Sequence, residues 1–293
     1  MKEQIDAVRR MQAYIREHLY ENITLNDLAE ASLYSPWYSH RLFLKWTEYK
    51  PADYIRRLRL SKSALILRDQ NRKIIDVAFE IGFGSVDGYQ RAFYKEFGCN
   101  PSEYAEQPTP LYLFMPYDVE SQSPGKERIM DKVKTIFVQV VTKPPRKVMI
   151  KRGRQATDYW AYCQEVGCEI WGLLTSIKSL SGEPVSLWLP KKYIQPNTSE
   201  YVQGVELPLD YDGIIPEGLD MITLPGCEFL RFQGEPFEEE DYQQAIVQVR
   251  DAILNYDPST IGYTWDDTNP RIQLEPIGTR GYIELLPVTK ILS

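Results

Sequence analysis

Arg41 and Arg91 stand at matching positions of two stretches that repeat one another, and each follows residues able to touch the edges of base pairs. Arginine pairs bidentately with guanine O6 and N7, glutamine with adenine, and an aromatic or aliphatic side chain meets the thymine methyl. Trp37, His40 and Arg41 in the first stretch, and Val86, Asp87, Gln90 and Arg91 in the second, are therefore candidates for reading double-stranded DNA in the major groove. A second set lies far downstream: Glu275 and Glu284 with Gln273, Trp171, Tyr263 and Trp265. Carboxylates among aromatic faces, to which Trp160 and Trp188 add two more, suit a hydrophobic or cationic small molecule. A buried carboxylate without a partner is costly, which is the reason to expect a complementary ligand beside it. The two histidines and four cysteines, with no C-x-x-C pair, make a poor donor set, so no metal, cofactor or catalytic constellation is expected.

The repeat defines the elements that must position the first set. Asp27 and Ala29 are matched by Asp76 and Ala78 at an offset of 49. From Ser35 and Ser85 onward the offset is 50, through Phe43/Phe93, Lys45/Lys95, Pro51/Pro101 and Tyr54/Tyr104, so the second copy has one extra residue in its turn. Thr24 with an acid three residues later predicts a capped helix over 25–31. Ser35-Pro36 starts the next helix, which runs to about Trp46 with Leu42, Phe43 and Trp46 inward and Trp37, His40 and Arg41 outward. Pro51 opens a long helix to about Leu67, and helices over 74–80 and 85–97 complete the second copy, with Phe93 and Phe97 inward. An amphipathic helix over 5–20, with Ile5, Val8, Met11, Ile15 and Leu19 at spacings of three and four, precedes them. The whole makes seven helices in about 107 residues, an all-α double helix-turn-helix. Gly82 and Gly84 fall in a turn where positive φ is needed, and Arg56, Arg57, Arg59 and Lys62 offer phosphate contacts from the long helix.

The formal net charge of −7 opposes nucleic-acid binding only until it is divided. Residues 1–107 carry 16 Lys+Arg against 15 Asp+Glu, leaving 18 against 26 for the remainder, so the acidic surplus belongs to the second part. A Pro- and Ser-rich stretch over 108–129 reads as a linker. Beyond it strands are predicted over 134–141, 147–151, 185–189 and 201–207, and a helix over 158–177. Arg146 to Gly153 followed by a helix is echoed by Cys227 to Gly234 followed by a helix over 239–254, and Val205-Glu-Leu-Pro208 by Glu284-Leu-Leu-Pro287. Two β-α-β-β halves would give an α+β domain with a cleft between them. The acidic run Glu238 to Asp241 reads as favourable charge at a helix N-terminus. With no apolar run near the roughly 18 residues of a membrane span, and a polar N-terminus, a cytoplasmic location and no membrane partner are expected.

The pattern Ile81-Gly-Phe83-Gly-Ser85, then Phe93-x-x-x-Phe97-Gly98-x-x-Pro101-x-x-Tyr104, resembles the AraC/XylS-type transcription regulators over about residues 5–107. That resemblance implies two units joined by a rigid helix, here about Ala52 to Leu67, which insert two recognition helices into adjacent major-groove segments so that one chain reads an asymmetric site. The family usually carries this module at the C-terminus; here it leads. Residues 130–293 resemble, through weaker motifs, the gyrase-inhibitor-like effector-binding domains of multidrug-sensing regulators. Such domains hold organic cations or hydrophobic compounds, often with an acid in a strand of the form Phe-Glu-x-Tyr. Here Asn269-Pro-Arg-Ile-Gln273-Leu-Glu275 puts Gln273 at the glutamate position, with Glu275 on the same strand face and Glu284 as the other candidate. Together the resemblances imply a one-component transcription regulator: DNA-binding domain 1–107, linker 108–129, small-molecule-binding domain 130–293. The effector would act by domain rearrangement or by exposing a surface for RNA polymerase. Two other readings of the second domain stay open: a hydrolase using Glu275 or Glu284 with Tyr263 as general base and partner, or a ligand-free partner-binding module.

Overall fold

The computed structural model describes residues 2–116, 135–238 and 241–291, and the chain divides into two compact units between Arg128 and Ile129. The first unit is helical: α1 (Lys2–Glu17), α2 (Leu25–Ser32), α3 (Pro36–Thr47), α4 (Pro51–Asp69), α5 (Ile74–Glu80), α6 (Val86–Phe97) and α7 (Pro101–Glu106). Their starts follow from local chemistry. Thr24 and Asp27 exchange side-chain-to-backbone bonds, at 2.7 Å from the Thr24 N–H and 3.3 Å from the Asp27 N–H, and so satisfy donors that a helix N-terminus leaves orphaned. Ser35 and Ser85 cap α3 and α6 by accepting from Tyr38 N–H and Gly88 N–H.

α4 serves two cores. Its first half gives Tyr54, Ile55 and Leu58 to a cluster with Val8, Met11, Leu28, Leu42 and Phe43. Its second half gives Leu60, Ala64 and Leu67 to a cluster with Val77, Ile81, Tyr89, Phe93 and Tyr104. Full burial of one such large apolar side chain is worth roughly 1.5–3 kcal/mol. The segment expected to begin a linker is packed instead: Leu111 and Leu113 enter the second core and Phe114 the first, its N–H bonded to Ser61 Oγ at 2.7 Å. Residues 117–129 of that expected linker lie outside the described residues.

The second unit holds β1 (Phe137–Lys143), β2 (Arg146–Arg152), α8 (Tyr159–Val166), α9 (Ile170–Ser176), β3 (Val185–Trp188), β4 (Tyr201–Leu207), β5 (Asp220–Leu224), β6 (Cys227–Gln233), α10 (Tyr242–Leu254), β7 (Tyr263–Trp265), β8 (Arg271–Gln273) and β9 (Ile283–Lys290). One antiparallel sheet runs in the order β1-β6-β9-β8-β3-β4-β2-β5, with β7 on β9. The order reads the same from both ends if β2 answers β6, β4 answers β9 and β3 answers β8. The register agrees: Lys147 faces Leu207 in one half and Glu228 faces Val288 in the other, each 81 positions on (228 against 147, 288 against 207). Each half therefore contains the expected β-α-β-β unit, preceded by a strand that it lends to the other: β1 pairs β6, and β5 pairs β2.

One face of the sheet carries Val148, Ile150, Leu187, Val202, Phe229, Ile272 and Leu285. On the other, α8 and α9 pack over Met149, Tyr201, Val205 and Leu207, and α10 over Leu230, Phe232, Tyr282 and Val288. The single helix expected over 158–177 is two, because Gly167 at φ +92° ends α8 in a conformation that L side chains rarely adopt. α10 begins at Tyr242; Glu239, where the expected helix began, and Glu240 within the acidic run lie outside the described residues, as does Lys134 at the expected start of the first strand.

Candidate functional site

α3 and α6 are the second helices of the two helix-turn-helix units, and both pack on α4. On α3, Ser39, Leu42 and Phe43 are buried while Trp37, 65% exposed, and Arg41 face solvent, with His40 half-buried. The Arg41 guanidinium lies 4.6 Å from the Trp37 ring centroid, one helical turn away, so the two side chains form one surface. On α6, Asp87 and Arg91 are exposed and Gln90 is half-buried. Arg91 Nε donates to the Asp87 carbonyl at 3.2 Å, which holds the guanidinium over the first turn of the helix. Val86 is less free than expected: it packs against the second core and presents only part of its surface. The turns differ as well. Unit one crosses from α2 to α3 in three residues with Leu33 at φ +63°, and unit two crosses from α5 to α6 in five with Gly82 at φ +82°. Gly84, the other glycine expected to need positive φ, is not in that region.

Of the basic run on α4, the three arginines are engaged within the helical unit, and Lys62 is exposed. Arg56 pairs with Asp53 at 2.8 Å. Arg57 pairs with Glu96 of α6 at 2.6 Å and lies 4.5 Å from the Phe114 ring centroid. Burial alone would lower the Arg57 pKa, but Glu96 beside it outweighs burial and raises it. Arg59 Nε donates to the Leu19 carbonyl at 2.7 Å, and its other nitrogens reach the Glu21 and Gly82 carbonyls. The sequence offered Arg57 and Arg59 to phosphate because their acceptors, two backbone segments and a distant glutamate, are set by tertiary packing.

In the sheet unit, four polar side chains line up across adjacent strands on the helix-covered face: Gln203 opposite Ser186, Ser186 opposite Gln273, Gln273 opposite Glu284. All four are buried. Glu284, fully buried, is already satisfied: Arg250 Nε donates to its Oε1 at 3.0 Å, Arg271 Nε to its Oε2 at 2.6 Å, and the Tyr282 hydroxyl to Oε1. A cation approaching it would face two guanidinium groups, so Glu284 is not the open carboxylate that cation binding needs. Glu275 is displaced from its expected place too. β8 ends at Gln273, and Glu275 lies beyond the strand, where its N–H bonds to Glu183 and its carbonyl accepts from Arg280. The Tyr263 hydroxyl donates to Glu228 Oε1 at 3.4 Å, a carboxylate other than the two that the hydrolase reading paired with it.

A cleft of about 270 Å³ does open on this unit, lined among others by Trp188, Trp265, Asn269, Arg271, Leu286 and Pro287. Of the expected aromatic residues it contains Trp188 and Trp265; Trp171 is buried in α9. Arg271 lies 4.7 Å from the Trp188 ring centroid and Arg250 5.7 Å from it. Asp266 and Asp267 are also in the lining. Asp266 caps its own turn by accepting from Thr268 N–H and Asn269 Nδ2, each at 2.8 Å. Burial would raise its pKa, but these bonds hold it below the usual carboxylate range. Among the described residues no group of His, Cys, Asp and Glu could hold a metal ion, and no helix is long and apolar enough to cross a membrane.

Residues 28–107 match the family model described as a helix-turn-helix domain. Regulatory protein SoxS of Escherichia coli K12 is 37% identical over 92 residues, which cover 86% of that protein and 31% of this chain. The chain belongs to the AraC-type family of DNA-binding transcription regulators. Right origin-binding protein of Escherichia coli K12 is 35% identical over 106 residues, and that match covers 37% of its length and 36% of this chain. The DNA-binding domain of AdpA, solved with a target DNA, is similar at 24% identity and a TM-score of 0.33, over 34% of this chain and 91% of that one. In the AraC-type module, then, the residues brought together on exposed helix surface are Trp37 with Arg41 and Asp87 with Arg91. The residues that the sequence analysis missed in the sheet unit are Arg250 and Arg271. No local signal could have found them, because α10 and β8 meet at Glu284 only after folding.

Proposed function

We propose that the chain reads an asymmetric DNA site with α3 and α6, and changes transcription in response to a small apolar or aromatic molecule held at the sheet unit. The DNA half of this reading rests on one observation: two capped recognition helices share α4 but expose different side chains, Trp37 and Arg41 on one, Asp87, Gln90 and Arg91 on the other. Different readers on one rigid axis select different half-sites, and two readers in one chain remove the usual need for a palindrome. The sensing half is supported by the Trp188–Trp265 cleft beside a buried polar row. With Glu284 neutralised in place, flat apolar contact dominates what that cleft offers.

In vitro selection of DNA sites by the full chain tests the first half. The expected consensus is non-palindromic, with its two parts responding separately to Arg41→Ala and Arg91→Ala; a palindrome, or a consensus indifferent to both changes, would sink it. For the second half, affinity for the selected site is measured with and without a panel of neutral aromatics, hydrophobic amines and aromatic carboxylates. A compound whose effect disappears in Trp188→Ala and Trp265→Ala supports sensing at this cleft. A panel without effect on DNA affinity or on thermal stability removes it.

A further inference from the structure

Arg57 and Arg59 sit where α4 passes from one core to the other: Leu58 between them belongs to the first cluster and Leu60 after them to the second. Two residues apart on a helix, they project to nearly opposite sides. Each spans the two units. From the first unit, Leu19 and Glu21 at the end of the α1 region give carbonyls to Arg59, and from the second the Gly82 carbonyl in the α5–α6 turn accepts from it at 3.3 Å. On the other side, Arg57 lies between Tyr49 and Phe114 of the first core, 5.2 and 4.5 Å from their ring centroids, and its Nε holds Glu96 of α6. The turn is shaped around this contact. A Cβ on Gly82 would come within 2.9 Å of the Arg59 guanidinium carbon, and φ there is +82°.

We propose that Arg57 and Arg59 form a two-sided strut that fixes the distance and rotation between α3 and α6, and so determine which spacing between half-sites the protein accepts. They act as positioning residues and need not touch DNA. The reasoning is geometric. A guanidinium presents a planar fork of donors, so Arg59 can hold carbonyls from two units in one plane, which a lysine cannot. Arg57 is clamped at one end by an ion pair and at the other by two aromatic rings. Without these ties the joint is α4 and its flanking cores alone, and a helix can bend where side-chain bracing is lost. One base pair inserted between half-sites moves the second by about a tenth of a turn, enough to separate a braced reader from a compliant one.

This inference rests on the proposed DNA reading, and the experiment separates the two. The full chain is titrated by fluorescence anisotropy against the selected site and against sites with one base pair inserted or removed between the half-sites. The parent should lose about tenfold or more in affinity at the wrong spacings, equivalent to misplacing one good base contact. In Arg57→Gln/Arg59→Gln that penalty should shrink to about threefold or less, with binding to the original spacing weakened only modestly. Arg57→Lys, which keeps the ion pair, should restore much of the discrimination; Arg59→Lys should not. Glu96→Gln breaks the Arg57 tie without altering α4 and should give a partial loss, so the test survives if the double variant fails to fold. A uniform loss of affinity at all spacings, with a shallower salt dependence, would identify phosphate contacts and overturn the strut. Unchanged spacing discrimination in both the double variant and Glu96→Gln would overturn it as well. Failure of the parent to select any site would instead remove the reading beneath it.

Discussion

The helical unit and the sheet unit are each built by repeating a motif, and in both the repeats agree in their apolar packing and differ in the polar and charged side chains they carry. Phe43 and Phe93, and Tyr54 and Tyr104, occupy matching core positions, whereas Arg41 stacks on a tryptophan and Arg91 bonds back to the first turn of its own helix. In the sheet, Tyr201 and Tyr282 are matching buried tyrosines, whereas Gln203 is answered by Glu284 and only the second half supplies arginines to balance that charge. Packing demands volume and shape, which a copy can reuse unchanged. Recognition demands a particular donor, acceptor or charge, and one copy can change it without disturbing the other. The same division explains how both units can be symmetric in architecture and asymmetric in chemistry.

The strongest way to break that comparison is through the shared cores. Phe43→Ala and Phe93→Ala should each cost about 3–5 kcal/mol. Because α4 belongs to both cores, either change should shift the unfolding of the whole helical unit in denaturant followed by circular dichroism; a variant that melts one helix-turn-helix and spares the other would show the units to be independent. Next come the readers. Arg41→Ala and Arg91→Ala should each lose about 1–3 kcal/mol of binding to the selected site, at different base positions and without a change in melting temperature. If both relax the same position, the two helices do not read separate half-sites.

A smaller effect concerns Glu206, a buried carboxylate in the first half of the sheet. Burial by itself would raise the Glu206 pKa, but Lys143 and Arg146, both at 2.5 Å, outweigh it and leave the carboxyl below its ordinary value. A folded pKa below the unfolded one stabilises fully above the unfolded value, and the contribution is lost as pH falls through the folded one. The sheet unit should therefore weaken in acid, and Glu206→Gln should flatten its melting temperature between pH 5 and about pH 3, where ordinary carboxyls titrate. An acid slope unchanged by that variant would assign it to other groups. The smallest effect compares helix ends. α3 is capped at its C-terminus by Glu48 with φ +65° and α6 by Gly98 with φ +76°. Glu48→Gly should stabilise by about 0.5–1 kcal/mol, the left-handed strain less the extra entropy of an unfolded glycine, and Gly98→Ala should destabilise by a similar amount. Nothing lies within 4 Å of a Cβ at Gly98, so the second change tests backbone strain alone.

The helical unit was nearly all legible in the sequence because its signals are local: caps at Thr24, Ser35 and Ser85, proline at the first turn of three helices, and apolar residues at helical spacing. Its exposed readers followed by subtraction, apart from Val86, whose partial burial depends on how α6 tilts onto its neighbours. The sheet was legible as two repeats, and no local pattern announces that β1 and β5 would be exchanged between them. Glu284 could be singled out, but its partners could not: Arg250, Arg271 and Tyr282 come from three elements, and their convergence decides whether the carboxylate is available. Trp171 and Trp188 show the same limit. One tryptophan is buried and the other lines a cleft, and composition treats them alike.

The exchange of β1 and β5 has a consequence for how the sheet unit can be taken apart. Each half completes its sheet only with a strand carried by the other, as two hands hold by crossing fingers, so a cut in the chain between β4 and β5 separates two pieces that each still need the other. Fragments ending and beginning in residues 208–219 should be unfolded alone and regain the native sheet on mixing, and the protein behaves at that joint as a dimer whose concentration has been fixed by a loop.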